Sequence, residues 1–522
     1  MKTAKMEETD VIIVGSGAAG SVMAAKLAQN GKRVVILEAG PQWILGDLYS
    51  SQIWSRRIKW GGPLPKLGGN DPAGITFNAG DGTGGSALHH YAVWLRLHPE
   101  DFELRSRYGE GQDWGLSYDE LRPFYDQVQR EVGISGDAKA EVWRPPGEAY
   151  PMPPLQGLTQ AKVIQRGFTK LGLRTSPTPL AINSVEYKGR PPCLYDGWCD
   201  AGCPIGALAN PLAVYLPQAT DRGTQIRYQS TVSRVLTNAK GDRATGVEYF
   251  DAEGAKQTLN AKVVILAAFT VQNPRILLNS RDGGLANSSG TLGKFVMAHF
   301  AFNVYGLFKD QTQNYLGVTG GNLIGQDGYP KDKHTQRGHL GSFTWEIGNA
   351  LKPNDLLGVA ASRPDLFGNP LHEFMKQASQ HLATMSIVGE NLPLESSRIT
   401  LSSVRDRYGV PRAQFDHDLA PDDLKTFEAA RKEGEAVFRA AGAGEVWVGQ
   451  RAHQHFMGGT IMGEDPAASV TNSYGQTHDI ANLFVAGPGL FATSGAVNPT
   501  FTLHALAVRT AKYLGEQWSS IA

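Results

Sequence analysis

The sequence predicts an α/β fold, with a doubly wound nucleotide-binding domain interleaved with an α+β substrate domain. Three observations predict it. A β-branched apolar run at residues 10–15 opens directly onto Gly15-Ser-Gly17-Ala18-Ala19-Gly20 and then a helix-forming stretch, residues 21–30. A second apolar run, residues 32–38, closes on an acid, which completes a strand–turn–helix–strand unit. Further buried-looking runs return only at residues 262–267 and 482–487. The nucleotide domain is therefore assembled from separated pieces. We assign it residues 1–100, 205–295 and 450–522, and the substrate domain residues 101–204 and 296–449.

Each element has a local reason. Gly15 permits the tight turn, Gly17 lets backbone approach a pyrophosphate, and Gly20 allows close helix–strand packing. The first N–H groups of the helix, at Ala18 and Ala19, face the anion end of the macrodipole. Glu38, followed by Ala39, is placed to accept from both ribose hydroxyls and to repel a 2′-phosphate. A second glycine loop, Gly84-Gly85-Ser86, offers N–H groups to a phosphate or flavin edge. Ser117 and Glu120 have capping-box spacing and open a helix running to about Val132. Pro-rich residues 144–154 form a connector. Residues 226–250 read as strands and 500–514 as a final helix. A polar, Gly-rich stretch at 311–341 reads as a lid or a partner surface.

Composition narrows the class. Lys+Arg and Asp+Glu are both 50, so no net charge draws the chain to nucleic acid or an anionic membrane. No run of 18 apolar residues is present, and the first ten residues lack an apolar signal core. We therefore expect no membrane span and no export address carried by the chain itself.

Three cysteines are the whole complement, and all lie in one run, Cys193-x5-Cys199-x3-Cys203, followed by Pro204. Their odd number leaves no complete disulfide set. Structural zinc wants four ligands, and no histidine is near in sequence. An iron–sulfur group, 3Fe–4S, needs three thiolates; the other reading is three free thiols on a flexible loop.

With these residues in view, the chain resembles the glucose–methanol–choline (GMC) oxidoreductases across nearly its whole length. The resemblance is carried by Gly15–Gly20 with Glu38, Gly84-Gly85-Ser86, His455-x-x-Gly458, Met462-Gly463 and Asn498-Pro499-Thr500. The cysteine run is similar to that of the large subunits of bacterial FAD-dependent glucose, fructose, sorbitol, gluconate and glucoside 3-dehydrogenases. The resemblance implies FAD, a 3Fe–4S cluster on Cys193, Cys199 and Cys203, and His455 and Asn498 as catalytic residues that also contact substrate. It further implies a substrate contact at Gln454, a flavin-side role for His90, a backbone contact to adenine at Val232, and flavin contacts at Pro499 and Thr500. Where many members carry an Asp near the flavin phosphates this chain has Gly487, whose N–H is expected to serve instead. A neutral imidazole is also the natural base for a hydroxyl proton while hydride leaves carbon. His453 is expected behind the site.

The expected activity is oxidation of a hydroxyl of a sugar, glycoside or polyol, with electrons passed to a cytochrome c or quinone-linked acceptor. A small chaperone-like subunit bearing the export signal is the implied partner, and the periplasm the implied location. Three alternatives stand beside it: an alcohol oxidase of the same family, a dehydrogenase of a non-sugar secondary alcohol, and a non-catalytic redox scaffold. Covalent or non-covalent attachment of FAD is left open.

Overall fold

The computed structural model describes residues 8–59, 64–73, 79–353 and 355–522. The N-terminal stretch in which an export signal was sought lies mostly outside them. Two large sheets organise the chain. In the first, the opening strand Glu8–Val14 runs parallel to Val34–Leu37 on one side and to Lys256–Leu266 on the other. Leu483–Val485 joins the far side of Lys256–Leu266, also in parallel. Gln225–Arg227 extends the other edge, and the antiparallel strands Thr231–Thr237 and Ala244–Phe250 complete the sheet. The parallel strands are buried on both faces, which is why they read as unbroken apolar runs. Helices Ala18–Gln29 and Thr500–Glu516 pack together on this sheet, joining the two ends of the chain in one core.

The second sheet has eight strands. Its centre is Asn303–Leu307, Leu382–Gly389 and Phe343–Ile347, all antiparallel. Strand alternation splits their side chains between two faces. Phe302, Val304, Trp345, Met385 and Ile387 point to helices Thr159–Lys170 and Pro421–Ala441, where they meet Ala161, Phe168, Val437 and Phe438. The register places Asn303, Thr384, Ser386, Thr344 and Glu346 on the opposite, polar face. Met297–Ala301 joins the sheet through Leu382–Gly389 and pairs in turn with Ala452–Met457. The residues around His455 are therefore a strand of this second sheet.

Ser117 caps helix Tyr118–Val132 with its capping box in place: Ser117 N donates to Glu120 at 2.8 Å and Glu120 N to Ser117 at 3.4 Å. The stretch at 311–341 is not a lid. Residues 318–326 are buried, and Leu323–Gly325 is an internal strand. Polar composition survives there because the amides are satisfied: Gln326 donates to Thr344 (3.1 Å), and Asn349 donates to the Thr319 carbonyl (3.0 Å). Among the described residues no helix is long and apolar enough to cross a membrane.

Candidate active site

His455 owes its position to a bulge. The pairing of Ala452–Met457 with Met297–Ala301 slips between Gln454 and Phe456, and His455, the extra residue, is held at φ +55°. Bulges of this kind re-aim a side chain out of the pleat. A non-glycine residue in the left-handed region costs about 1 kcal/mol or more and persists only when its surroundings demand it.

The surroundings also fix the tautomer. His299 Nε2 faces two acceptors, the carbonyls of Gly495 (2.9 Å) and Ser494 (3.2 Å), so it carries the proton. Burial lowers His299 to about 4, against the modest lift from those carbonyls, so the ring is neutral and its Nδ1 is bare. His455 Nδ1 lies 3.0 Å from that atom and must be the donor. Burial, with His299 and His90 adding to it, also holds His455 well below the ordinary imidazole value of 6.5. Its Nε2 is left as a bare lone pair, the form a general base requires.

In Glu346→Gln, which removes the buried carboxyl bonded to Asn498, substrate-driven flavin reduction is accordingly expected to stay constant from about pH 8 down to 6.5 and fall only in more acidic solution. Stopped-flow rates across that range check it; a rate that halves near pH 6.5 would mean an imidazole in ordinary water.

The segment carrying Asn498 is pinned from behind. Tyr329 donates to Asp101 (2.6 Å) and accepts from Ala496 N (3.1 Å). Lys331 Nζ, fully buried, bonds Asp101 (3.0 Å), Glu390 (2.8 Å) and Ser342 (2.8 Å). Burial alone would lower Lys331, but Asp101 and Glu390 outweigh it and hold the ammonium charged. Thr493 bridges Trp114 Nε1 (2.8 Å) and the Asp101 carbonyl (2.7 Å). Asn498 is buried with its Oδ1 unpartnered. Gln454 is partly buried and donates to the Ile387 carbonyl at 3.4 Å. His453 is turned away, bonded to Asp71 at 2.7 Å. Asp71, His417 and His453 lie within 4.8 Å of one another, a metal-like grouping. The guanidinium of Arg451 pairs with Asp71, however, and His417 is engaged by the Asp71 carbonyl (2.9 Å) and Asn391 Oδ1 (3.1 Å). This grouping is an ion-pair and hydrogen-bond cluster that anchors the His455 strand.

Below the site lies the nucleotide cradle. Gly15 turns at φ +98°, and a side chain at Gly20 would collide with the Gly15 carbonyl. Helix Ala18–Gln29 starts after Gly17 and leaves the N–H groups of Ala18 and Ala19 free of intrahelical partners. Gly487 lies beside Ala19, where its N–H can serve the same anion. Ser230 N donates to the Glu38 carbonyl at 2.8 Å, which brings Val232 to the same edge. Gly84 N reaches Ser16 Oγ at 3.3 Å, so both glycine loops meet. Ser86 Oγ steadies this second loop by accepting from Gly80 N at 3.0 Å, with Gly85 opening its short 3-10 turn. Pro499 caps helix Thr500–Glu516, which presents its N-terminus toward the same side. His90 donates through Nδ1 to the Ala87 carbonyl at 2.7 Å, leaving Nε2 buried and unpartnered.

Glu38 stands at the end of its strand, its carboxylate bonded within the protein. Its Oε2 accepts from Ser16 N (2.9 Å) and Ser16 Oγ (2.6 Å), and its Oε1 from Gly40 N and Gly82 N (3.0 Å each). Four protein donors hold the carboxylate at the strand end, Gly82 folding back over it. Glu38 thus ties three backbone segments together, with Ala39 exposed beside it. The remaining observations fit FAD: free helix N–H groups, side-chain-free approach at the glycines, and orphaned polar atoms on His90 and Asn498.

The three thiols converge. Cys193, Cys199 and Cys203 are unpaired, and each lies close enough to perturb another electrostatically. Burial, with the neighbouring sulfurs adding to it, pushes Cys193 up to about 11 and Cys199 to about 12. Tyr195 N donates to Cys193 Sγ at 3.3 Å and Leu208 N to Cys203 Sγ at 3.5 Å, and Arg190 stands near Cys203. Sulfurs buried or half-buried, with N–H donors and a guanidinium close by, fit a thiolate-held metal group, which deprotonates its own ligands. The loop is tied to the body by Asp200, which pairs with Lys59 (2.6 Å) and Lys352 (3.2 Å).

Sequence reasoning missed His299, Lys331, Glu346 and Glu390. Only Glu346 left a signal, a lone acid inside the apolar run of residues 343–347.

A nucleotide cradle beneath a bare imidazole base defines a flavin-type oxidoreductase. The chain belongs to the GMC oxidoreductases: N-terminal and C-terminal family models match residues 9–301 and 393–507. It is an FAD-binding enzyme of the kind that acts on CH–OH groups. It is 30% identical to 2-methyl-1,2-propanediol dehydrogenase of Mycolicibacterium austroafricanum, over 99% of this chain and 97% of that protein. It is also 30% identical to the fructose dehydrogenase large subunit of Gluconobacter japonicus, over 96% of this chain and 97% of that one. The crystal structure of pyridoxine 4-oxidase from Mesorbium loti shares the fold, with a TM-score of 0.67 at 17% identity, covering 97% of this chain and 99% of that one.

Proposed function

We propose that the chain is an FAD-dependent dehydrogenase that oxidises a hydroxyl of a sugar, glycoside or polyol and delivers the electrons through a 3Fe–4S group to a cytochrome or quinone-linked acceptor. The observation that carries this reading is that all three thiols lie on one loop, near enough to perturb one another, with backbone N–H groups on two of the sulfurs. An oxidase that hands electrons to oxygen has no use for it. FAD, when bound, supplies the hydride acceptor, and an iron–sulfur group on Cys193, Cys199 and Cys203 supplies single-electron transfer outward. His455 takes the hydroxyl proton at Nε2. The imidazolium so formed keeps its Nδ1–H bond to His299, whose own proton rests on the Gly495 and Ser494 carbonyls, so the new charge meets aligned dipoles. Asn498, fixed by the pinned backbone before it, orients the substrate oxygen. Leu194 (70% exposed) and Ile205 on the cysteine loop, with Tyr315 beside Gly197, form an apolar rim suited to an acceptor protein. The likeness to a protein named as a large subunit supports assembly with other subunits. In this reading a small subunit carries the chain to the periplasm.

The test is low-temperature electron paramagnetic resonance with iron analysis on the purified, FAD-loaded protein. An oxidised three-iron signal that vanishes on reduction is expected in the wild type and lost in Cys199→Ser. That variant should still show substrate-driven flavin bleaching while losing most of its rate with cytochrome c. Protein holding FAD but no iron, and consuming oxygen with substrate, would make it an oxidase.

A further inference from the structure

Glu346 is a carboxyl that the chemistry above does not use. It lies on the polar face of the second sheet, 3% exposed, opposite Ser386 in register. Ser386 donates to Oε2 at 3.2 Å, and the Asn498 side chain bonds the same carboxyl. Oε1 has no partner, and neither has Asn498 Oδ1 beside it. No lysine or arginine pairs with Glu346 among the described residues. Burial raises it to about 7, with the Asn498 and Ser386 bonds opposing that rise. A buried acceptor without a donor costs about 1–3 kcal/mol unless something supplies a proton to it. Gln454, a neighbour of His455, reaches the Ile387 carbonyl next to Ser386, so this corner is continuous with the catalytic strand.

Building on the dehydrogenase reading, we infer that Glu346 and Asn498 form a subsite for a second hydroxyl, so that the substrate is a vicinal diol or polyol rather than a simple alcohol. One hydroxyl surrenders its proton to His455. The hydroxyl on the adjacent carbon donates to Glu346 Oε1 and satisfies it. A mono-alcohol leaves that oxygen buried and unpaired, and sites built to bond a hydroxyl reject analogues that lack it.

The experiment has two stages on FAD-loaded enzyme. Flavin bleaching across sugars, alditols and 1,2-diols first identifies a substrate; bleaching by none of them overturns the functional reading and this inference with it. The best substrate is then compared with its deoxy analogue lacking the neighbouring hydroxyl, in wild type, Glu346→Gln and Glu346→Ala. Wild type is expected to favour the hydroxylated form by about 10²-fold or more in kcat/KM. Glu346→Ala should collapse that preference to within about tenfold, mainly by raising KM for the hydroxylated substrate. Glu346→Gln, which keeps shape and an acceptor, should retain part of it. Unchanged discrimination in Glu346→Ala, or equal loss on both substrates, overturns the subsite. So does a preference for an amino alcohol over the diol in the wild type, which would make Glu346 an ammonium site.

Discussion

His455→Ala is expected to slow substrate-driven flavin reduction by about 10²- to 10⁴-fold while FAD content stays that of the wild type. The size follows from the site: neither neighbouring histidine can replace the bare Nε2, because His453 is committed to Asp71 and His299 to backbone carbonyls. Alanine at φ +55° adds local strain, so His455→Asn, which tolerates the left-handed region, is the matching control. Both variants should keep the wild-type flavin spectrum and lose the reaction. Near-full activity in either removes His455 from the role of base.

The second large effect is on stability. Lys331→Met should destabilise the protein by about 3–5 kcal/mol, because it strands Asp101 and Glu390 as buried, uncompensated carboxylates. The urea midpoint measures it. Adding Glu390→Gln removes one stranded charge and should recover part of the loss. A midpoint unmoved by Lys331→Met would mean that both carboxyls are neutral in the native protein. Because Tyr329 and Asp101 hold Ala496, the same substitution should also weaken catalysis by loosening the Asn498 segment.

Features written in adjacent residues were the ones legible in the sequence. The Ser117–Glu120 cap, the Gly15–Gly20 turn and the helix from Thr500 depend on neighbours three or four positions away, and each appears within two or three residues of its expected bounds. His455 was singled out through the resemblance to the GMC family, not through any local signal of the bulge that holds it. Its partner was not. His299 sits in Met297–Ala301, an ordinary buried strand by composition, and gains its role only through pairing with a strand more than 150 residues away. Lys331 and Asp101 are 230 positions apart, and nothing local marks either as half of an ion pair. The polar stretch at 311–341 misled because composition reports which groups need hydrogen bonds, not whether the interior supplies them. Glu38 is where the nucleotide-binding pattern puts it, but its bond from Gly82 N, more than forty residues on, has no local signal.

The first sheet has a temporal consequence. Its opening strand pairs with Lys256–Leu266, that strand with Leu483–Val485, and the first helix is covered by Thr500–Glu516. On the ribosome, strand Glu8–Val14 must wait for Leu483–Val485 and Thr500–Glu516 before its core closes. Such long-range pairing folds slowly and leaves apolar strands uncovered meanwhile. A nascent chain stalled before Leu483 would present an unfinished cradle, so cofactor capture follows synthesis of Leu483–Val485 and Thr500–Glu516.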